Sequence, residues 1–222
     1  MKEGKFFISS ANSANFREIC MGNIAPNTFF RSSHPIKENK EEKTISLLAQ
    51  KVNISTVINL SDTMSGIWGK AAYAPWYNKL LNSGKVIALG MDFSCTSPSF
   101  RKNLKEALQF IINTNSPYLI HCHAGVDRTG FVCMVLESFM GASLDEVIKD
   151  YLMSFDNEFK SSIFSLSEKA NADTVLQILS VMSNSQAITE YNLQHIAEIY
   201  LRSKVGLSAE DVELLRGKLR GN

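Results

Sequence analysis

The hydrophobic pattern in the first two thirds of the chain contains three short apolar runs. Residues 54–60 and 86–89 are bounded by polar residues and contain β-branched side chains, and a third run ends at His121. Runs of this length and composition are typical of buried strands. The sequence therefore predicts three strands, at 54–60, 86–89 and 118–121.

Around these runs, apolar residues recur with the spacing of helices. The repeat over residues 99–114 predicts a helix that packs one face on the sheet, and the charged stretch 37–51 turns apolar toward its end and predicts a surface helix. Residues 143–222 are helical in pattern, with further helices expected near 172–183, 189–204 and 208–219, the last opened by a capping-box-like pair, Ser208 and Asp211. Strands that alternate with helices predict an α/β fold with a central, mainly parallel sheet, helices on both faces and a helical C-terminal portion.

The most informative segment is 121–130, which reads H-C-H-A-G-V-D-R-T-G and joins the third strand to a helix that is apolar on all sides. A loop that enters a helix N-terminus directs unpaired backbone N–H groups at one point, and the helix dipole adds positive potential there. This arrangement favours a bound phosphate and also a cysteine thiolate. We therefore predict that Cys122 is a nucleophile.

The other residues of this segment have chemistry that suits a phosphate site. The planar guanidinium of Arg128 can hold two phosphate oxygens at once, and Gly125 lets the backbone turn and approach them closely. Thr129 is expected to donate a hydrogen bond to the Cys122 sulfur and so assist its departure, while His121 is expected to orient the loop. The predicted phosphate-binding residues are His123, Ala124, Gly125, Val126, Asp127 and Arg128.

Two plainer explanations of this segment were weighed. Buried cysteine and glycine residues are common where a strand meets a helix, and an arginine can serve only as a partner of a carboxylate. His121, Cys122, His123 and Cys133 include metal-ligand types, but the chain has neither the C-x2-C nor the H-x3-H spacing of a metal site. We predict neither a metal nor another cofactor.

Composition limits the remaining classes of function. The chain has 222 residues, 45% of them hydrophobic, which is enough for one well-buried core, so we predict a single domain over 1–222. The formal net charge is only +1 and basic residues are scattered, which gives no general attraction for nucleic acid. The sequence has no apolar run long enough to cross a membrane and no signal-peptide pattern, and its four cysteines do not form a disulfide framework. These features predict a cytoplasmic protein.

The sequence resembles the cysteine-dependent protein tyrosine phosphatase superfamily, whose signature H-C-x5-R-[ST] matches residues 121–129. Within it, the chain is similar to the bacterial tyrosine phosphatase family 3, a group of tyrosine/serine and lipid phosphatases. The segments N-F-R-E at 15–18, F-R-S at 30–32 and G-L-S-A-E-D at 206–211, preceded by Y-N-L at 191–193, resemble that group's motifs in the same order. The resemblance implies a phosphate monoester hydrolase that forms a phosphocysteine and acts on phosphotyrosine, or on both phosphotyrosine and phosphoserine.

Two departures from the group's pattern bear on the substrate. The residue before Asp127 is usually lysine and here is Val126, and the segment after the first core strand, often Asp-Leu-Arg, is here N-L-S-D at 59–62. Both changes remove a cation that could contact a second phosphate. A phosphoinositide or inositol phosphate is therefore the alternative substrate, and a non-catalytic phosphate-binding module and a rhodanese-like sulfur transferase are the rival functions.

Two aspartates are candidates for the general acid that protonates the leaving group. Asp92 lies 30 residues before Cys122, the spacing of the acid loop in compact dual-specificity phosphatases. Asp127 lies within the signature, and the resemblance implies that an aspartate at that position is the acid. We favour Asp127 slightly over Asp92.

The segment 65–82 is rich in aromatic residues, among them Trp68, Tyr73, Trp76 and Tyr77. These rings are expected to pack on the core. The alternative is a lid that lines a deep pocket for phosphotyrosine.

Overall fold

The structure, a computed structural model, describes residues 14–36, 40–161, 171–183 and 186–222. Five strands form one sheet in the order β1-β2-β5-β3-β4. The strands are β1 Arg17–Ile19, β2 Phe29–Ser32, β3 Thr56–Asn59, β4 Val86–Ala88 and β5 Tyr118–His121. All neighbours pair in parallel except β1, which runs antiparallel to β2 at the edge. The predicted α/β fold with a mainly parallel sheet is thus confirmed.

The three predicted strands are present, β3 and β4 with slightly narrower bounds and β5 with the predicted ones, whereas β1 and β2 were not predicted. Both are short, and each carries an arginine, Arg17 or Arg31, which interrupts an apolar pattern. Arg31 is nevertheless fully buried, because an acidic partner on a distant helix pairs with it. A strand of this kind depends on a tertiary contact that local composition does not reveal.

Helices connect most of the strands, and the elements described after β5 are all helical. Their bounds are α1 Lys40–Lys51, α2 Met64–Ala71, α3 Pro75–Asn82, α4 Pro98–Ile112, α5 Asp127–Phe139, α6 Leu144–Ser161, α7 Ala172–Ser183, α8 Leu193–Ile199 and α9 Ala209–Leu219. The predicted helices agree with these bounds, except that 37–39 lie outside the described residues and that the helix expected over 189–204 begins later. It continues as a π-helical turn, Tyr200–Val205, and ends at Gly206, whose φ of 83° suits glycine.

Local sequence explains where several helices begin. Ser97 caps α4 by accepting a hydrogen bond from the Phe100 N–H at 3.0 Å, and Pro98 occupies the first turn. Ser208 and Asp211 form the predicted capping box at the start of α9. By contrast, α5 follows Val126, which has no side-chain group that could cap it.

The two faces of the sheet bury separate apolar clusters. Phe29, Ile58 and Ile120 point to one side and pack with helices α4 to α9, while Val57 and Leu119 point to the other and pack with α1, α2 and α3. The alternation follows from the two-residue period of a strand. Helices therefore cover both faces, as predicted.

The position of β5 in the middle of the sheet determines where the signature loop lies. All four residues of β5 are buried, and the loop after it leads into α5, whose residues 128–139 are all buried. In parallel sheets, ligands bind at the carboxyl ends of the strands, where this loop lies. Within the described part of the chain, no helix has the length and apolar character needed to cross a membrane.

Candidate active site

The loop between β5 and α5 lines a cavity of about 800 Å³. Cys122 is 3% exposed and faces this cavity together with His123, Ala124, Asp127 and Arg128. The remaining lining comes from other segments and consists of His34, Ile36, Ser61, Asp62, Lys70, Met91 and Phe93. The structure thus brings the proposed nucleophile, the proposed clamp and one candidate acid to the same cavity.

Three consecutive carbonyl groups of the loop accept hydrogen bonds from the N-terminal segment. The His34 N–H donates to the His123 oxygen at 3.2 Å, and the Asn15 side-chain amide donates to the Ala124 oxygen at 3.1 Å. The Arg31 guanidinium donates to the Gly125 oxygen at 2.8 Å. Because a trans peptide is planar, the N–H that follows each fixed carbonyl points the opposite way. The N–H groups of residues 124–126 are therefore directed away from the N-terminal segment.

These N–H groups are available to a ligand. No N–H of residues 124–129 donates to an acceptor among the residues that the structure describes. The first three amides of α5 belong to this set, since the helix has no side-chain cap. Gly125 makes the turn with φ of 76°, a conformation that favours glycine. The arrangement can bind an oxyanion next to the Cys122 sulfur.

The Arg128 guanidinium is held at the cavity wall by the segment after β4. Its Nη1 donates to the Met91 carbonyl at 3.0 Å, and its central carbon lies 4.2 Å from the centre of the Phe93 ring. The Arg128 Nε has no partner within the described part of the chain. Since an arginine has five N–H donors, several remain for an oxyanion.

The two candidate acids differ in their surroundings. Asp127 lines the cavity in the first turn of α5. Asp92 is exposed and turns to the start of α4, where it accepts hydrogen bonds from Ser99 Oγ at 2.5 Å, Ser97 Oγ at 3.0 Å and the Ser94 N–H at 2.8 Å. The bond from Ser99, with those from Ser97 and Ser94, lowers the pKa of Asp92. A lowered pKa disfavours the protonated form that a general acid requires.

An ionic cluster at the other side of the cavity was not predicted. The Asp62 carboxylate lies 2.6 Å from His34 Nε2 and 2.6 Å from Lys70 Nζ, and it accepts a hydrogen bond from the Asn59 amide at 3.0 Å. Although partial burial opposes this, the bonds from His34 and Lys70 hold the pKa of Asp62 well below its usual range. The sequence suggested that this neighbourhood had lost a cation, but Lys70 of α2 supplies one. The sequence feature that pointed to this cluster was the departure of residues 59–62 from the family motif.

His121 lies beneath the loop and outside the cavity. Its Nδ1 is 3.3 Å from the Cys122 carbonyl oxygen, and its Nε2 is 3.4 Å from the Tyr77 hydroxyl. Burial lowers the pKa of His121 well below its usual value, so the ring is neutral. Its contacts are those of a residue that orients the loop.

Two expectations about contacts are wrong. Thr129 is fully buried, but its hydroxyl makes no hydrogen bond within the described residues, so the expected bond to the Cys122 sulfur is not formed. The expected packing of the aromatic rings on the core does not hold for Trp68 and Tyr73, which are 49% and 73% exposed and do not line the cavity. Tyr77 of the same segment does pack in the core. The side chain that α2 contributes to the cavity is that of Lys70.

The described residues contain no group of three or more His, Cys, Asp or Glu side chains positioned to hold a metal ion.

Comparison with known proteins gives two curated relatives. The chain is 27% identical over 142 residues to the triple specificity protein phosphatase PtpB of Mycobacterium tuberculosis, an alignment that covers 54% of this chain and 51% of the relative. It is 33% identical over 69 residues to the dual specificity protein kinase FUZ7 of Mycosarcoma maydis, covering 31% of this chain and 16% of that protein. The chain spans about half or less of the length of these relatives.

Among solved structures, the chain is similar to the core catalytic domain of the PP-IP phosphatase SIW14 from S. cerevisiae. The sequence identity is 19%, the TM-score is 0.48, and the alignment covers 90% of this chain and 94% of the other.

The profile of the tyrosine phosphatase family matches residues 8–221, which is nearly the whole sequence. The match includes the signature loop and the N-terminal and C-terminal motifs. The chain belongs to the tyrosine phosphatase family.

Proposed function

We propose that this chain hydrolyses phosphate monoesters through a phosphocysteine intermediate, acting on phosphotyrosine or on both phosphotyrosine and phosphoserine in proteins. The observation that carries the proposal is the buried Cys122 at an uncapped helix N-terminus, beside the unpaired amides of residues 124–129 and the Arg128 guanidinium. Family membership supports the same chemistry. The name of the mycobacterial relative, a triple specificity protein phosphatase, supports a broad choice of phosphorylated residue.

The proposed reaction has two steps. The Cys122 thiolate attacks phosphorus, the bond from phosphorus to the ester oxygen breaks, and Asp127 gives its proton to the leaving oxygen. Water then attacks the phosphocysteine, Asp127 accepts a proton from that water, and inorganic phosphate and the thiolate are released. Arg128 and the loop amides hold the three non-bridging oxygens throughout, where charge is spread in the transition state.

The test is hydrolysis of p-nitrophenyl phosphate in the presence of reductant and without added metal. We expect turnover by the wild type and its loss in Cys122→Ser, while Cys20→Ser, which changes an exposed cysteine, keeps full activity. A folded wild type without turnover would support the phosphate-binding module instead. Thiosulfate:cyanide sulfur transfer, measured in parallel, would support the rhodanese-like function.

A second substrate class is favoured by Lys70. Lys70 places an ammonium group in the cavity of the phosphate cradle, by which we mean the N–H groups of residues 124–129 and the Arg128 guanidinium. Lys70 is paired with Asp62 at 2.6 Å, so a second negative group of an inositol phosphate or phosphoinositide would share its remaining N–H donors. If so, Lys70→Met raises KM for a soluble inositol polyphosphate several-fold more than for a phosphotyrosine peptide. Equal effects on the two substrates would exclude this class.

We also propose that the protein works in the cytoplasm. A thiolate nucleophile needs a reducing compartment to stay active. Trapping thiols in intact cells before fractionation should recover the protein in the cytoplasmic fraction with Cys122 reduced. Recovery of the protein from an oxidising compartment would contradict this.

A further inference from the structure

The Arg31 guanidinium contacts both a buried acid and the signature loop. Its side chain is fully buried, Nη1 lies 2.5 Å from Asp150 Oδ2, and Nη2 donates to the Gly125 carbonyl at 2.8 Å. Burial lowers the pKa of Arg31, but the acidic groups around it, with Asp150 ionised, raise it overall, so the side chain is charged. A charged donor in a buried site makes a strong hydrogen bond.

Asp150 on α6 has a second arginine partner that provides a contrast. Arg17 Nε lies 2.7 Å from Asp150 Oδ1, and Arg17 Nη2 donates to the Asp150 backbone carbonyl at 2.8 Å and to the Ser154 hydroxyl. Despite full burial, Arg31 and Arg17 lower the pKa of Asp150, which is therefore ionised. Both arginines stabilise the same carboxylate, but of the two only Arg31 has a hydrogen bond to a loop carbonyl among the described residues.

The contact with the Gly125 carbonyl bears on anion binding because of peptide geometry. The carbonyl of Gly125 and the N–H of Val126 belong to one planar peptide and point in opposite directions. A charged donor on the carbonyl fixes the orientation of that N–H and increases its positive partial charge. The backbone of Ser32, next to Arg31, lies close to Gly125, since a Cβ added to Gly125 would lie 2.5 Å from the Ser32 oxygen.

We propose that Arg31, held by Asp150, is a positioning residue of the phosphate cradle that acts through the peptide between Gly125 and Val126. Arg31 does not line the cavity and does not touch the reacting atoms. The inference rests on the proposed function, because it assigns phosphate to the cradle. It joins the F-R-S segment at 30–32 and the signature loop, more than 90 residues away, in one proposed binding unit.

The test compares Arg31→Lys with Arg17→Lys by calorimetric titration with inorganic phosphate. Lysine keeps the positive charge but lacks the planar fork that reaches Asp150 and Gly125 together. We expect Arg31→Lys to weaken phosphate binding at least about tenfold and to lower kcat/KM for p-nitrophenyl phosphate by about 10- to 100-fold. Arg17→Lys should change both by no more than about twofold, although both variants lose thermal stability. Measurements are made well below each Tm, so that loss of folded protein does not contribute.

Three results would each overturn the inference. They are equal effects of the two lysine variants, wild-type phosphate affinity in Arg31→Lys, and no binding of phosphate by the wild type. If Arg31→Lys fails to fold, Arg31→Met replaces it, because Asp150 then keeps Arg17 as its partner and no buried charge is left unpaired. Arg31→Met should show the same loss of phosphate affinity, and wild-type affinity in it would overturn the inference. Phosphate binding is measured separately from turnover. Unchanged turnover in Cys122→Ser would therefore refute the proposed function without refuting the role of Arg31 in phosphate binding.

Discussion

At the scale of single residues, the surroundings of Asp127 and Asp92 favour Asp127 as the proposed general acid, a choice that their positions in the sequence left open. Asp127 faces the cavity, whereas Asp92 accepts hydrogen bonds from three serines at the start of α4. A general acid must lie beside the leaving group to donate its proton. It must also be protonated, which is easier when few hydrogen-bond donors stabilise its ionised form.

We expect Asp127→Asn to lower kcat for an alkyl phosphate by about 10²- to 10³-fold. The loss should be smaller for p-nitrophenyl phosphate, whose leaving group needs little protonation. Asp92→Asn should stay within a few-fold of the wild type on both substrates. Steady-state kinetics with the two esters provides the measurement, and a reversed pattern would assign the acid to Asp92.

Glu137 on α5 is a buried acid whose ionisation opposes folding. Burial, together with the charge of Asp150 and a hydrogen bond to it, raises the pKa of Glu137 well above its usual value. The folded protein therefore holds a proton that the unfolded chain releases above about pH 4.5. Its contribution to stability is present below that pH and is lost as the pH rises toward the folded-state pKa.

Replacement of this acid should therefore help most at higher pH. We expect the free energy of unfolding of Glu137→Gln, relative to the wild type, to increase by at least about 1 kcal/mol between pH 5 and pH 8. Glu213→Gln, which changes an exposed carboxylate on α9, should show no such trend. Urea unfolding at the two pH values measures both differences, and parallel curves for the two variants would refute the argument.

At the scale of elements, the crossing of α5 and α6 depends on a glycine. A Cβ added to Gly130 would lie 2.7 Å from the ring of Tyr151, which is buried on α6. Because the ring cannot move into solvent without opening the contact between the helices, Gly130→Ala should lower stability by about 1–3 kcal/mol. Gly217→Ala on α9 meets no atom within 4 Å and should raise stability by up to about 1 kcal/mol. Thermal melts of the two variants should shift in opposite directions, and a shift of the same sign would contradict this.

The elements also show where sequence patterns suffice. Strands β3, β4 and β5 and helices α4, α7 and α9 could be predicted because their apolar periodicity is local. β1 and β2 could not, since the burial of Arg17 and Arg31 depends on Asp150, more than 100 residues later. The outward position of Trp68 and Tyr73 could not be predicted either, because aromatic content does not reveal which face of a helix is covered.

The candidate site divides in the same way. Cys122, Asp127 and Arg128 lie within one short loop, so their proximity follows from the sequence. His34, Asp62, Lys70 and Phe93 reach the cavity from four other segments, and only the strand order brings them there. A motif predicts the residues that it contains and not those that surround it in space.

At the scale of the whole molecule, the two apolar clusters share the central sheet, which links all the described elements. We therefore propose that the chain forms a single domain and expect one cooperative unfolding transition. Far-UV circular dichroism, the fluorescence of Trp68 and Trp76, and hydrolysis of p-nitrophenyl phosphate should be lost at the same urea concentration. An earlier loss of helical signal with activity retained would show that α7 to α9 unfold separately.

The three donors that hold the loop carbonyls come from residues 15–34, and two of these hydrogen bonds span 109 and 94 positions of the chain. During synthesis the N-terminal segment leaves the ribosome long before the loop that it holds. The cradle can therefore form only after β5, α5 and α6 have been made and have folded onto β2, late in the folding of the nascent chain. The proposed nucleophile, Cys122, consequently gains the surroundings that we propose to bind phosphate only in a molecule that is nearly complete.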